Sequence, residues 1–185
     1  MNIYLTYPVI EDLTNYHNLI SEPNFQSEFI HYRNRSLNDT REELESWIEM
    51  GNSCLPSFFR FIKLSHCEDD KILNNSNSKL IGFFANTPSG TLEGSLSGFE
   101  MLLNFGISQK YENKGIMTMA VELLCDYLKN EIGFTIITTH VKMNNIASQK
   151  VLNKCGFDLV RDQVGKTYVK ALNIDEEIYK KAFNL

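Results

Sequence analysis

A short polar loop with two lysines and one glycine, SQKYENKG at residues 108–115, comes directly before a long apolar-periodic segment. If that segment is a helix, its first turn has backbone N–H groups without partners and carries the positive end of the helix dipole. Gly115 would let a ligand approach this backbone closely, and Lys110 and Lys114 would add positive charge beside it. The loop therefore predicts an anion site, with a phosphate or pyrophosphate as its natural ligand.

The loop does not match the common phosphate-binding signatures. It lacks the G-x-x-x-x-G-K-[ST] spacing of a P-loop, and no G-x-G-x-x-G fingerprint follows a predicted strand. Taken alone, Gly115 has an equally good structural explanation, since a glycine also eases a tight turn from a strand into a helix. The neighbouring elements have to decide between a ligand site and a simple turn.

The segments on either side of the loop predict a strand and a helix. Upstream, FEMLLNFGI at residues 99–107 is rich in aromatic and aliphatic residues over the length of a strand. Downstream, apolar residues recur at helical spacing, with polar residues opposite them. The apolar positions are Met117, Ala120, Val121, Leu124 and Leu128. The predicted order is strand, tight loop and a helix that packs on one face.

A second strand and a second helix follow. FTIITTHV at residues 134–141 is typical of a buried strand, and NNIASQKVLNKCGF at residues 144–157 predicts a helix. Asn144 or Asn145 can cap the start of this helix. Gly156 stands where a left-handed residue would close its end.

This order of elements, with N-x-A-S at residues 145–148 and C-G-F at residues 155–157, resembles the GNAT N-acetyltransferases over residues 99–160. The resemblance implies an α+β, three-layer fold with a mixed, mostly antiparallel sheet of six to seven strands and helices on both faces. It also implies acetyl-CoA as co-substrate, without a metal. Within the family, these segments are most similar to the branch that acetylates the N-termini of ribosomal and other proteins. Before residue 99 the resemblance rests on the order of elements, including SKLIGFFA at residues 78–85.

The resemblance assigns the cofactor to the strand end and the loop. In the family, a bulge in the strand frees backbone N–H groups that hold the pantetheine arm and polarise the thioester carbonyl. By position this role falls on Asn104, Phe105 and Ile107, and Gly106 would ease the bulge. The loop and the first helical turn would hold the pyrophosphate. The residues at those positions are Glu112, Asn113, Lys114, Gly115, Ile116, Met117 and Thr118.

The second helix supplies two further residues by resemblance. Asn145 matches the family asparagine that contacts the pantetheine arm, and Ser148 matches a serine near the thiol, where it could donate to the thiolate. Asn145 could instead be only a helix cap, which requires the same residue type. Tyr111 and Tyr168 are alternative acids, although Tyr111 is more simply a packing residue beside the loop.

Three positions depart from the family pattern. The family loop usually reads Gln/Arg-x-x-Gly-x-Gly/Ala, and Glu112, Gly115 and Met117 occupy these places, so one of the three matches. Glu112 brings negative charge toward the pyrophosphate and should weaken binding unless its side chain turns away. Met117 could crowd the same turn. Leu152 replaces a tyrosine that in many members protonates the leaving thiolate.

Acetyl transfer to an amine needs a polarised carbonyl, an amine without its extra proton and a proton for the thiolate. Strand alternation places Glu100 on one face with Leu102 and Asn104. A partly buried glutamate would have a raised pKa and could accept the ammonium proton, whereas a strand-end glutamate in solvent would not. Glu93 is a weaker candidate base. A general base could be unnecessary for an acceptor amine of low pKa, because such an amine is already substantially neutral; α-amino groups have a pKa near ~8, against ~10.4 for lysine.

The composition fits one globular domain. The chain has 185 residues, of which 43% are hydrophobic and 22% charged. We expect a single acetyltransferase domain over residues 1–185, with a scaffold and substrate wall at 1–98, an acetyl-CoA-binding core at 99–160 and a last strand and helix at 161–185. The N-terminal segment lacks a signal-peptide pattern and no segment is long enough to cross a bilayer, so we expect a cytoplasmic protein.

The charged residues and the possible metal ligands limit which partners the protein is expected to bind. Cys54, Cys67, Cys125 and Cys155 form no C-x-x-C pair, which favours reduced structural thiols, and His66-Cys67 with His140 match no zinc spacing. The net charge of −5 disfavours nucleic acid and is compatible with a cationic amine, either a small molecule or a peptide. The lysines expected on the cofactor half, which could equally be solvated, are Lys110, Lys114, Lys142, Lys150 and Lys154.

The rest of the chain predicts scaffold elements. These are a strand at 2–7, helices at 9–20 and 40–50, strands at 57–64 and 79–85, and a last strand and helix after residue 164. In NDTREELESWI, Asp39 would cap the second helix with Glu42 three residues later. The Gly- and Ser-rich loop at 86–98 would close over a ligand or simply connect two strands.

Three functions follow from these residues. The first is an acetyl-CoA-dependent N-acetyltransferase, which we favour. The second is a domain of the same fold that binds acyl-CoA or a peptide without turnover, suggested by Glu112, Met117 and Leu152. The third is an interaction surface without CoA binding. The sequence does not distinguish a protein N-terminus, polyamine, amino acid or aminoglycoside as acceptor, and it does not give the oligomeric state.

Overall fold

The computed structural model describes residues 2–51, 59–65, 78–87, 100–132, 134–162, 165–183 and 185. These residues include a seven-stranded sheet in the order β1-β2-β3-β4-β5-β7-β6. The strands are β1 (Asn2–Thr6), β2 (Phe59–Ser65), β3 (Lys79–Thr87), β4 (Glu100–Ile107), β5 (Ile136–Val141), β6 (Asp158–Asp162) and β7 (Lys166–Ala171). The α-helices are α1 (Leu13–Ile20), α2 (Pro23–Glu28), α3 (Leu37–Gly51), α4 (Ile116–Tyr127), α5 (Ile146–Lys154) and α6 (Glu176–Phe183). This architecture confirms the predicted α+β fold class.

The sheet is mixed and mostly antiparallel, as predicted. β1 pairs with β2, β2 with β3, β5 with β7 and β6 with β7 in antiparallel register. β4 runs parallel to β5, and this pairing covers only residues 100–102 against residues 136–138. On its other edge β5 pairs with β7 over its full length. The β4–β5 ladder therefore ends at Leu102 and Thr138.

The chain divides into two compact units, residues 1–85 with 105–116 and residues 86–104 with 117–185. The assignment of the whole chain to a single domain stays a prediction. The core of the first unit is strongly aromatic. Around Tyr16, the ring centroids of Tyr32, Phe59, Phe61 and Phe83 lie 6.5, 5.8, 5.3 and 6.1 Å away. Most of these contacts are edge-on or tilted, the arrangements that aromatic quadrupoles favour.

A polar network is buried within this aromatic core. The hydroxyl groups of Tyr16 and Tyr32 lie 3.1 Å apart, and Tyr16 also donates to Glu43 Oε2 at 3.1 Å. Arg35 Nη1 lies 3.4 Å from the same carboxylate oxygen. Burial raises the pKa of both tyrosine hydroxyls and of the Glu43 carboxyl. The partners of both tyrosine hydroxyls and of the Glu43 carboxylate satisfy polar atoms that would otherwise be costly to bury, whereas Arg35 Nε has no hydrogen-bond partner among the described residues.

The start of α3 differs from its prediction. The helix begins at Leu37, three residues before the predicted start at residue 40. Ser36 Oγ accepts from the Asp39 N–H at 3.1 Å, and Asp39 Oδ2 accepts from the Ser36 N–H at 2.9 Å. Ser36 is therefore the capping residue, and the prediction of Asp39 as cap was wrong. Asp39 is the acidic partner in the reciprocal pair, because an aspartate can take the place of the usual glutamate in a capping box.

The sequence interpretation assigned no element to residues 21–36, where the structure has α2. Pro23 is at the first position of this helix, where its fixed φ angle suits the helix and its missing N–H costs nothing. Phe25 is buried and packs on Phe83 and Phe29, with ring centroids 5.6 and 6.1 Å apart. This short helix is therefore part of the aromatic core.

The core of the second unit is mostly aliphatic, although Phe134, Phe157, Tyr168 and Tyr179 are also buried. The predicted apolar face of α4 is confirmed, since its five positions from Met117 to Leu128 are all buried. From β5 and β7, Ile136, Ile137 and Val169 are each 0% exposed. In α6, Tyr179 donates its hydroxyl to Asp158 Oδ2 at 2.8 Å and thereby holds the terminal helix on β6. Within the described ranges, no helix has the length and apolar character that crossing a bilayer requires.

Candidate functional site

The loop between β4 and α4 turns sharply into the helix. One turn of 3-10 helix, Gln109–Tyr111, follows β4, and α4 begins at Ile116. Between them, Asn113 and Gly115 both have left-handed backbones, with φ angles of 58° and 74°. A left-handed residue directly before a right-handed helix points successive N–H groups toward the same side, which makes a concave anion-binding turn. The predicted glycine turn at the helix start is therefore present.

The turn at Gly115 is open. A Cβ atom at this glycine would meet no atom of the described residues within 4 Å, and residues 113–115 are exposed. Within the described part of the chain, the N–H groups of Asn113, Lys114, Gly115 and Ile116 donate to no backbone carbonyl. The turn thus combines free space, unpaired donors and the positive end of the α4 dipole, which together suit a phosphate group.

Glu112 does not point freely into this turn. Its Oε1 accepts a hydrogen bond of 2.9 Å from Nδ2 of Asn24 in α2. Asn24 Nδ2 also donates to the Ile107 carbonyl at 2.9 Å. The Glu112 carboxylate is therefore hydrogen-bonded to a side chain of α2. This departure from the family pattern has a structural role in holding the loop.

A second acidic residue holds the start of the loop. Glu22 Oε1 accepts from Ser108 Oγ at 2.8 Å, and Glu22 Oε2 accepts from the Gln109 N–H at 2.8 Å. Sequence reasoning missed both Glu22 and Asn24 as loop contacts. Their only local signal is a Glu-Pro pair that is typical of a helix start, and nothing in the sequence names partners more than 80 residues away.

Tyr111 lies between two lysine side chains. The Lys114 and Lys79 ammonium groups lie 5.7 and 5.8 Å from its ring centroid, at the outer limit of a cation–π contact. Lys79 begins β3 and was not among the lysines that the sequence predicted. The structure therefore adds a positive charge near the loop, while Lys110 is exposed. Tyr111 packs beside the loop, as its simpler interpretation stated.

Two glycines allow close packing at the end of β4. A Cβ at Gly106 would come within 2.4 Å of Cε1 of Phe25. A Cβ at Gly82 would come within 2.5 Å of the Gly106 carbonyl oxygen and 3.2 Å of Ile107 Cα. Gly106 thus has a packing reason, contact with the Phe25 ring, in addition to the predicted bulge, which stays a prediction. Phe105 of β4 packs near Phe84 of β3, with ring centroids 6.5 Å apart.

In the second unit, Met117 and Thr118 belong to the first turn of α4. Met117 is 7% exposed, so its side chain lies in the packed face of the helix instead of crowding the turn. The Thr118 carbonyl accepts from the Cys155 thiol at 3.6 Å. Asn104 is half-buried near the end of β4.

The start of α5 is closed by a side-chain cap. Asn145 Oδ1 accepts from the Ser148 N–H at 3.0 Å, so Asn145 is the capping residue and Asn144 is not. Gln149 supports the preceding turn by donating to the carbonyls of Lys142 and Met143 at 3.2 and 2.9 Å. At the other end, Gly156 has the predicted left-handed backbone, with φ 72°. The roles of Asn145 and Ser148 toward a cofactor stay predictions.

The candidate acids and bases are differently placed. Glu100 pairs with Ile136 at the start of β4, and its role as base stays a prediction. Glu93 lies outside the described residues, and so does the loop at 86–98 apart from its first two residues. Tyr168 and Leu152 are buried in the second unit at 1% and 0% exposure. Thr138, where the β4–β5 ladder ends, is 5% exposed, and its hydroxyl has no hydrogen-bond partner among the described residues.

The predicted site residues fall into two groups. The structure brings residues 105–116 together in the first unit, and it places Glu100, Asn104, Met117, Thr118, Asn145 and Ser148 in the second. The first group is a continuous loop with defined anchors. The second group surrounds the helix starts of α4 and α5 and the strand pair β4–β5.

The described cysteines are structural. Cys125 and Cys155 are free and buried, and burial raises the pKa of their thiols to about 12 and about 11. Cys54, Cys67 and His66 lie outside the described residues. Among the residues that the structure does describe, no group of three or more metal-ligand side chains could hold an ion.

The chain belongs to the acetyltransferase (GNAT) domain family, whose model matches residues 2–158. A chimeric spermidine N-acetyltransferase built from Vibrio cholerae SpeG and hSSAT has a TM-score of 0.67 and 17% identity, with 100% of each chain covered. The spermidine N-acetyltransferase from Vibrio cholerae, in complex with CoA and spermine, has a TM-score of 0.66 and 16% identity over 92% of this chain and 95% of that chain.

A third solved structure is similar to the same extent. The ribosomal-protein-S5-alanine acetyltransferase from Vibrio fischeri has a TM-score of 0.64 and 17% identity, over 92% of both chains. No curated protein sequence matches this chain significantly. At such identities the structural likeness establishes the fold, and the reaction has to be argued from the site.

Proposed function

We propose that this chain is an acetyl-CoA-dependent N-acetyltransferase that acts on a primary amine. The family supports N-acetylation in general, and solved relatives are described as complexes with acetyl-CoA or CoA. Acetyl-CoA supplies an activated acetyl group on a thioester. The amine nitrogen forms a bond to the acetyl carbon as the carbon–sulfur bond breaks, the amine loses a proton and the thiolate gains one.

The turn at Gly115 is the observation that carries this proposal. It offers unpaired N–H groups at a helix start, open space where a side chain would stand, and the Lys114 ammonium group nearby. These are the features that hold a pyrophosphate without a P-loop. Glu112, whose negative charge would oppose an anion at this position, has its carboxylate hydrogen-bonded to Asn24 of α2.

Within the second unit, the resemblance to the family proposes residues for the pantetheine arm of the cofactor. We propose Asn104 and the backbone at the end of the β4–β5 ladder as contacts of this arm, together with Asn145 and Ser148. The Thr138 hydroxyl, which has no partner among the described residues, fits such a ligand, because a buried hydroxyl without a partner is costly and a bound amide or thiol would satisfy it. Glu100 is the proposed base and Ser148 the proposed donor to the thiolate.

We propose a protein or peptide N-terminus as the first acceptor to test. The segments at residues 145–157 resemble the branch that acetylates protein N-termini, and one solved relative is described as acting on ribosomal protein S5. Other relatives are described with spermine or as an aminoglycoside acetyltransferase, so small amines belong in the same panel. The cytoplasmic location stays a prediction from the sequence.

The test is calorimetric titration with acetyl-CoA, CoA and ATP, followed by thiol release with amine panels. We expect micromolar binding of acetyl-CoA and CoA but not of ATP, and thiol release that depends on one amine class. Binding without turnover of any amine would instead favour the domain that holds acyl-CoA without catalysis. The absence of CoA binding, checked by thermal shift, would contradict the proposed function.

A further inference from the structure

Three side chains around the start of α2 hold the strand end and loop that precede α4. Glu22, Asn24 and Phe25, which we call the α2 clamp, contact residues 106–112 of the same compact unit. These contacts join positions more than 80 residues apart in the sequence. The loop therefore owes its position to a distant element as well as to its own turn geometry.

Glu22 caps the loop at its start. The 3-10 turn Gln109–Tyr111 begins after Ser108, whose own side chain makes no capping hydrogen bond. The first N–H of this turn is instead satisfied by the Glu22 carboxylate, whose other oxygen accepts from the Ser108 hydroxyl. Hydrogen bonds to an ionised acceptor are among the stronger ones in proteins, so this contact fixes where the loop leaves β4.

Asn24 and Phe25 fix the neighbouring points. Asn24 links the Ile107 carbonyl, at the end of β4, to the Glu112 carboxylate, just before the turn at Gly115. The Phe25 ring packs on the backbone of Gly106, where no Cβ atom could fit. The clamp therefore contacts the strand end, the loop start and the loop end.

We propose that the α2 clamp positions the loop for acetyl-CoA, with Glu22 as its principal positioning residue. This inference rests on the proposed function. If the loop adopts its binding conformation in only a fraction of the molecules, the apparent affinity for the cofactor falls by that fraction. Loss of the clamp therefore lowers cofactor affinity without removing a ligand contact. Glu22 acts through the backbone of Ser108 and Gln109 and touches no reacting atom.

Electrostatics alone predicts the opposite change in CoA affinity when the Glu22 carboxylate is removed. CoA is polyanionic, so removing a nearby carboxylate would strengthen its binding if charge were the only effect. The clamp predicts weaker binding. Glu22→Gln separates the two effects, because the amide oxygen can still accept from the Gln109 N–H while the amide group donates to the Ser108 hydroxyl.

The experiment compares wild type, Glu22→Ala, Glu22→Gln and the control Glu11→Ala, an exposed glutamate in the same unit. Acetyl-CoA affinity is measured by calorimetry, and hydrogen exchange of residues 108–115 is measured without cofactor. We expect Glu22→Ala to weaken binding by about tenfold or more and to speed loop exchange. We expect Glu22→Gln to stay within about threefold of wild type and Glu11→Ala to match it.

Affinity in Glu22→Ala that equals or exceeds the wild-type value would overturn the positioning role. If wild type itself does not bind acetyl-CoA, the proposed function fails, and the exchange data still decide whether Glu22 holds the loop. Should Glu22→Ala fail to fold, Asn24→Ala releases the other end of the loop and is expected to change affinity and exchange in the same direction.

Discussion

The two compact units hold their candidate site segments in different ways. In the first unit, the loop before α4 is held by side chains of α2, through contacts that span 83 to 88 residues. In the second unit, the start of α5 is held by Asn145, which accepts a hydrogen bond from the N–H of Ser148, only three residues away. One segment depends on tertiary contacts and the other on a local cap.

This difference also appears in the two cores. The first unit packs aromatic rings around hydroxyl groups and a carboxylate, whereas the second packs aliphatic side chains of α4, β5 and β7. Buried polar groups require specific partners, so a substitution among them in the first unit should also affect the position of the loop before α4. A change at the local cap in the second unit should remain local.

The largest effect is expected at the loop itself. Gly115→Asp places a negative charge at an open position with φ 74°, where no neighbouring atom would clash. We expect acetyl-CoA binding to weaken by more than about 100-fold, because the carboxylate would face the phosphates. The control is Gly115→Asn, which has the same shape, tolerates the left-handed backbone and lacks the charge. Equal affinity of the two variants in calorimetry would contradict the pyrophosphate assignment.

A smaller effect is expected at the glycine that supports the strand end. Gly82→Ala would bring its Cβ within 2.5 Å of the Gly106 carbonyl oxygen, a backbone atom that cannot move aside easily. We expect the free energy of unfolding to fall by about 1–3 kcal/mol, as overpacking typically costs. Urea titration measures this loss, and acetyl-CoA affinity should fall with it.

Gly51→Ala is the matched control for Gly82→Ala. Gly51 belongs to the same unit, but among the residues that the structure describes a Cβ added there would meet only Tyr7 Cδ1, at 4.0 Å. We expect Gly51→Ala to leave the free energy of unfolding unchanged or to raise it. If both variants unfold at the same urea concentration, close packing at Gly82 does not support the end of β4.

The contrast between local contacts and contacts distant in sequence explains which features could be predicted from the sequence. The packed face of α4, the Asn145 cap and the left-handed Gly156 depend on residues within one or two turns, so their spacing in the sequence predicted them. The cap of α3 was misplaced by three residues because Ser36 and Asp39 both favour helix starts. Glu22, Asn24 and Lys79 were missed because their partners are distant in sequence, and no periodic pattern encodes such contacts.

A third prediction tests whether the cap at α5 is also a cofactor contact. Asn145→Ala removes the acceptor for the Ser148 N–H, and we expect the free energy of unfolding to fall by about 1 kcal/mol. Asn145→Asp keeps an acceptor and should retain stability within a few tenths of a kcal/mol. If the Asn145 amide group also donates to the pantetheine arm, both variants bind acetyl-CoA more weakly. Unchanged affinity in Asn145→Asp would leave Asn145 as a cap alone.

The smallest effect concerns the buried carboxyl of the first unit. Burial raises the pKa of Glu43 above its usual value of 4.5, and this is partly offset by Arg35 and by hydrogen bonds from Tyr16 and Trp47. Between the usual pKa and the raised pKa of Glu43, the folded protein binds more protons than the unfolded chain. The contribution of Glu43 to stability therefore falls as pH rises through its folded pKa. Glu43→Gln removes this titration and retains an acceptor for Tyr16.

We therefore expect the stability of Glu43→Gln relative to wild type to increase from pH 4 to pH 7. Urea unfolding at several pH values measures the difference, in which the remaining carboxyl groups largely cancel. Glu45→Gln, an exposed glutamate on α3, controls for the loss of a charge. A difference that decreases with pH would mean that Arg35 and the tyrosine hydroxyl stabilise the Glu43 carboxylate more than burial disfavours it, and the polar network would then resemble a salt bridge more than a buried acid.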